Sequence, residues 1–220
     1  MNMNIPTAFR ASFRPFSRPA RRAFSLLTAL CLAASTQAQA DTLTTIHTND
    51  VDSDTPSATD FWEFVELYGT PNAPLDGFVL VFFNGANDLA YRVYDLDGFS
   101  LDANGFFLLG NASVPGVDYV IPDNTLQNGA DAVALYRAST FVILNWSRSP
   151  GHPDGPLLDS IVYDTDDADD TGLIDAFGVI WDLPSPVQYN ENENGLVESQ
   201  SISRSVDGGS TIVIQDSTPG

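Results

Sequence analysis

The stretch "YDTDDADDTGLID", residues 163–175, places five aspartates in the seven positions 164–170 and follows them with a threonine, a glycine and two aliphatics. Carboxylates spaced two apart ahead of a glycine are how an EF-hand loop gathers oxygen ligands around calcium. In that register Asp167, Asp169 and Thr171 take ligand positions 1, 3 and 5, Gly172 the sharp turn at 6, and Asp175 position 9. Position 12 falls on Gly178, where a bidentate glutamate should close the shell. The flanking segments read as strand and loop, with no helices to present the site. Asp167, Asp169, Thr171 and Asp175 are therefore candidate ligands of a weak calcium site, in the millimolar range of extracellular modules. The competing expectation is a solvated acidic connection between strands. A second acidic group, Asp50, Asp52 and Asp54 near His47, carries the same two readings. No other cofactor is expected.

Catalytic arrangements are excluded largely by missing residue types. Beyond residue 40 there is no lysine and no cysteine, hence no Schiff base, P-loop lysine or thiol nucleophile. His47 and His152 lie far apart in the chain, and "HPDG" (152–155) reads as a turn. Neither a Gly-x-Ser-x-Gly elbow nor a His-Glu-x-x-His helix is present. Carboxylates are plentiful, but no pair is marked out for glycoside cleavage. Trp62, Trp146 and Trp181 are weighed between a sugar-stacking platform and plain packing, with Trp62 expected in the core. The sequence predicts a protein that is not an enzyme.

Residues 1–23 carry five arginines and no acid, and "FSLLTALCLAA" (24–34) is an apolar run too short to span a bilayer. With "STQAQA" after it, this is the pattern of a secretory signal cleaved after Ala40, leaving 41–220 as one mature domain. "RRAFSLL" also fits a twin-arginine signal, so export by either the Sec or the twin-arginine route is expected, to the periplasm or the cell exterior. Cys31, the sole cysteine, leaves with the signal, so no disulfide holds the domain. The mature part keeps four arginines against 29 acids, a formal charge of −25. Such a surface repels phosphate backbones and anionic lipid, which predicts no direct nucleic-acid binding and no membrane span.

The elements that must position any site read as strands. "FWEFVELY" (61–68), "GFVLVFF" (77–83), "LAYRVYDL" (89–96), "GFFLLG" (105–110), "DAVALYR" (131–137), "TFVILNW" (140–146), "LLDSIVY" (157–163) and "TIVIQ" (211–215) are short, β-branched and aromatic. Asn-Gly and Asp-Gly pairs at 84, 97, 104, 128, 194 and 207 punctuate them. In "GFVLVFF" both alternating sets are apolar, so that strand must be covered on both faces. In "DAVALYR", Val133 and Leu135 face one way while Ala132, Ala134 and Tyr136 face the other. Glu63 and Glu66, in an otherwise apolar strand, read as an edge device or as partners for an arginine such as Arg204. Gln127 is weighed between bridging backbone groups at its turn and simple solvation. The whole predicts an all-β, antiparallel two-sheet sandwich with long acidic loops and helices of no more than single turns.

At "TLQNGADAVALYR" (125–137) the chain resembles a bacterial lamin-tail domain. "EFVELYGTPNAPLDGFVLVFFNG" (63–85), "GFFLLGNASVPGVD" (105–118), "LDSIVYDTDDADDTGLID" (158–175), "SQSISRSVDGG" (199–209) and "STPG" (217–220) agree with it in order. The opening "TIHTNDVDSD" (45–54) departs from the Ile-Asn-Glu usual there, and family members commonly continue beyond Thr-Pro-Gly. The resemblance implies an immunoglobulin-like sandwich and brings no catalytic residues. It implies a secreted module for binding, adhesion or spacing, with an extracellular protein or polysaccharide as partner. One alternative it carries is the accessory part of a secreted endonuclease/exonuclease/phosphatase-type enzyme; a second, drawn from the acidic loop, is a weakly calcium-dependent adhesion module. Loops 84–88, 111–130 and 164–195 are the expected contact surfaces.

Overall fold

The computed structural model describes residues 45–55, 59–137, 156–177 and 187–220. The proposed leader 1–40, the strand expected at 140–146, the turn at 152–155, Trp146 and Trp181 lie outside the described residues. Along the chain come β1 (His47–Asp52), β2 (Phe64–Tyr68), β3 (Phe78–Asn84), β4 (Leu89–Asp95), β5 (Phe106–Asn111) and β6 (Tyr119–Ile121). Then follow β7 (Asp131–Arg137), β8 (Leu157–Asp164), α1 (Thr171–Phe177), β9 (Gln188–Asn190), a 3-10 turn (Val197–Ser199), β10 (Gln200–Arg204) and β11 (Ile212–Asp216).

These strands form two sheets, one ordered β11-β10-β1-β2-β5-β6 and the other β4-β3-β7-β8-β9. Between them Phe78, Leu80 and Phe82 of β3, Val133 and Leu135 of β7, and Ile161 of β8 meet Val51, Val65, Leu67, Phe107 and Ile202 of the six-stranded sheet. This is the all-β sandwich that alternating strands predict. The two-faced reading of β3 also holds. Val79, Val81 and Phe83 point away from the inter-sheet core into a second buried cluster with Tyr136, Leu173 and Phe177, and the Phe83 and Phe177 rings meet at a tilt with centroids 5.0 Å apart.

Three expectations need correction. The second half of the acidic stretch is a two-turn helix: the Asp170 carboxylate accepts the Leu173 N–H at 2.8 Å as an N-cap. Leu173 and Phe177, four residues apart, then cover the outer face of β3 and β7. Seven residues display too little period for that to be read beforehand. The sandwich is also not wholly antiparallel, since β5 pairs with β6 and β8 with β9 in parallel. Both partners are three-residue edge strands, so only a short length of chain must be climbed before pairing resumes, and α1 lies within the β8–β9 connection. Finally, β2 sits between β1 and β5, so Glu66 is on an interior strand and Glu63 immediately precedes one. Neither is an edge device, and neither meets Arg204, whose carboxylate partner is Asp159.

Candidate functional site

The register of the five-stranded sheet brings three distant loops to one level. Asn84 at the end of β3 lies opposite Asp131 at the start of β7, which lies opposite Tyr163 near the end of β8. The loops leaving those positions enclose a cleft of about 440 Å3 lined by Asn84, Gly85, Gln127, Asp131, Asp167 and Asp170, among others. Its walls are tied together at close quarters. The Asp131 carboxylate accepts the Gly85 N–H at 2.9 Å. A Cβ at Gly85 would stand 2.0 Å from the Ala130 carbonyl oxygen, so only glycine fits there. The positive φ of that hairpin is carried by Asp88 at 54° rather than by the glycine. The Gln127 amide oxygen accepts a hydrogen bond from Asn84. Its backbone is gripped twice, the N–H donating to the Tyr91 hydroxyl at 3.2 Å and the carbonyl accepting from the Tyr163 hydroxyl at 3.0 Å.

The acidic stretch is ordered by its own carboxylates. Asp164, buried, accepts the N–H groups of Asp166 and Asp167 on one oxygen and the Gln188 amide on the other. Asp166 takes hydrogen bonds from the Asn190 and Asn192 amides, which hold its carboxyl below the ordinary range. Asp167 lines the cleft, Asp169 stands in the loop before α1, and Thr171 and Asp175 are on α1 itself. Among the described residues no group of three or more histidines, cysteines, aspartates or glutamates is placed to hold a metal ion, so the four candidate ligands are not gathered. Asp131 and Asp170 join the cleft without having been singled out. Burial pushes Asp131 up to about 6 against the pull of the Gly85 N–H, with Asp167 and Asp170 adding to the rise. The one signal for Asp131 is its place at the head of an apolar strand just after Asn128-Gly129.

Other acids are buried in the six-stranded sheet. Asp50 and Asp52 alternate with the core residue Val51, so they occupy its outer face. The chain end crosses that face: Ser217 donates to Asp52 at 2.6 Å and the Gly220 N–H to Glu66 at 2.7 Å. Burial pushes Asp50 up to about 7, against hydrogen bonding to Ser201 and Ser203. It also raises Glu63 to about 8, although the Thr125 N–H and the Asn111 amide bond to it. Asp52 and Glu191 are raised well above the carboxylate range by burial, and Asp52 adds to the rise of Glu191. Asp54, the third of that group, is raised by burial and then by Asp60 and Glu198. His47 Nδ1 lies 3.7 Å from Asp159, on the other sheet, rather than among these acids. Trp62 is half-buried and packs on Phe64, Leu108 and Val114, a small cluster separate from the inter-sheet core.

Comparison of the chain with protein families, with curated proteins and with solved structures gives no match. Among the described residues no helix is long and apolar enough to cross a membrane.

Proposed function

We propose that the chain is an exported, non-catalytic, lamin-tail-like module of immunoglobulin-like kind, which binds an extracellular protein or polysaccharide through loops 84–88, 125–131 and 164–170. The observation that carries this reading is the convergence of those loops, remote in sequence, on one acidic cleft held by a rigid sheet. The lack of lysine and cysteine after residue 40 supports a binding rather than a catalytic role. The bonding of Asp164 and Asp170 to backbone N–H groups supports it too, because those carboxylates are already engaged in holding loops.

Tagged protein 41–220, mixed with the native cell-surface fraction, is expected to retain a partner that an Asp167→Asn/Asp170→Asn variant loses. Asparagine caps a helix about as well as aspartate, so the variant removes charge and keeps the loop. Equal retention by both forms defeats the cleft as the contact surface. Turnover of a substrate that disappears when one carboxylate is neutralised defeats the non-catalytic reading.

Calcium gives a separate check, since a ligand that binds only the folded state must raise the melting temperature. With ligands 5 to 9 of the EF-hand register spread onto a helix, calcium is expected to raise the midpoint no more than magnesium does at equal ionic strength. A calcium-specific rise of several degrees would establish the calcium-dependent module instead.

A further inference from the structure

Away from the loop cleft, between the outer face of β1 and the Val197–Ser199 turn, lies a mostly apolar cavity of about 330 Å3. Its wall includes Phe61 and Trp62, the carboxyls of Asp52 and Glu198, and the hydroxyls of Thr55 and Ser217. That is the lower end of the volume range of small-molecule pockets. Two features set it apart from a surface crease. Asp52 and Thr55 are 3% exposed, yet Asp52 Oδ1 and Thr55 Oγ1 have no hydrogen-bond partner, whereas buried polar atoms in folded proteins are nearly always satisfied. Phe61 presents 36% of its surface beside a half-buried tryptophan, an aromatic pair left open to the cavity.

The charge around it has one sign. Asp52 and Glu198 are in the wall, with no arginine or histidine among the lining residues. Asp54 acts on Asp52 as well. Asp60 acts on Asp54. An anion would be repelled from such a site. A neutral ligand could use the aromatic rings but would draw nothing from the field. A cation on a compact apolar body matches all three features: aromatic faces attract it, the acids nearby concentrate it, and its N–H groups supply donors where two buried oxygens lack them.

We propose that this cavity binds a small organic ammonium ion, its apolar body against Phe61 and Trp62 and its N–H groups directed to Asp52 and Thr55. Burial raises the Asp52 carboxyl well above its ordinary range in the empty cavity. An arriving ammonium favours the carboxylate form and pairs with it.

Titration calorimetry of protein 41–220 at pH 7 tests this with phenethylammonium, its neutral counterpart 2-phenylethanol, and 3-phenylpropionate. The ammonium is expected to bind, the alcohol about tenfold more weakly, and the acid not at all. Phe61→Ala, at an exposed position that leaves the fold intact, should weaken the ammonium about tenfold. Asp52→Asn should weaken it similarly. Asp167→Asn/Asp170→Asn should leave the titration unchanged, which separates this site from the loop cleft. No binding of the ammonium, equal affinity for the alcohol, or an unaltered affinity in Phe61→Ala overturns the proposal.

Discussion

Protein 41–220 is expected to melt at a higher temperature at pH 5 than at pH 8, the reverse of a protein stabilised by ion-paired carboxylates. Asp50, Glu63 and Asp131 hold their protons more tightly when folded, at about 7, about 8 and about 6, than the ordinary 3.8, 4.5 and 3.8 of the unfolded chain. Between those limits the folded state carries more protons than the unfolded one. Stability therefore falls as pH rises from about 4 to about 8. Each such group contributes about 1.4 kcal/mol per pH unit within its own window. Asp52 and Glu191 act in the same direction, as does self-repulsion among 29 acids.

The combined gain between pH 8 and pH 5 is about 7 kcal/mol, or a rise in melting temperature of about 15 °C or more. Scanning calorimetry at four pH values and constant ionic strength measures it directly. Glu63→Gln should flatten the upper part of the curve, because the amide keeps an acceptor for the Thr125 N–H and removes the titration. A midpoint that is level or rises towards pH 8 would show that these carboxyls are not buried as described.

The second large effect concerns the one buried guanidinium–carboxylate pair among the described residues. Arg204 on β10 donates through Nη2 to Asp159 on β8 at 2.7 Å, through Nε to the Thr48 carbonyl at 2.8 Å, and through Nη1 to the Gly209 carbonyl. Asp159 accepts the Thr48 N–H at 2.8 Å. The ladder between β1 and β2 slips between Thr48 and Asp50, and β10 pairs with β1 only from Asp50 onward. The Thr48 backbone is thereby left to be satisfied by the ion pair, which bridges the two sheets. Removing either partner strands a buried charge, so Arg204→Met or Asp159→Leu should each lose about 3–5 kcal/mol in urea denaturation. The double variant should recover part of that loss, since no lone charge remains. It should stay about 1–3 kcal/mol short of the parent because the Thr48 backbone groups lose their partners. Recovery to full stability would mean that the pair does not satisfy the bulge. A single-variant loss under about 1 kcal/mol would mean that the pair is solvated in solution.

Much of this architecture is legible in the residue order. The apolar runs at 78–83, 131–137 and 157–163 fall within β3, β7 and β8, and their alternation assigns faces correctly. The strands that escape notice are β1, β6, β9 and β10. β1 and β10 read "HTNDVD" and "QSISR", each with a single aliphatic, and β6 and β9 are three residues long. Such segments resemble loops because the polar side chains of β1 and β10 are covered by chain that arrives much later. The site is less legible than the fold. Crowded aspartates at 164–170 mark a place of interest, but Asp164 and Asp170 are engaged in capping and turn formation. Asp131, Asn84 and Gln127 become neighbours of Asp167 only through strand register.

By itself, then, the sequence determined the layered β-architecture, the two-sided burial of β3 and the predominance of acid, because side-chain alternation and composition are local properties that chain folding does not alter. The tertiary structure decided which carboxylates lose their water, which one meets Arg204, and which face an aromatic cavity. Desolvation depends on what covers a group, and for Asp52 part of that cover is Ser217, 165 residues further along the chain.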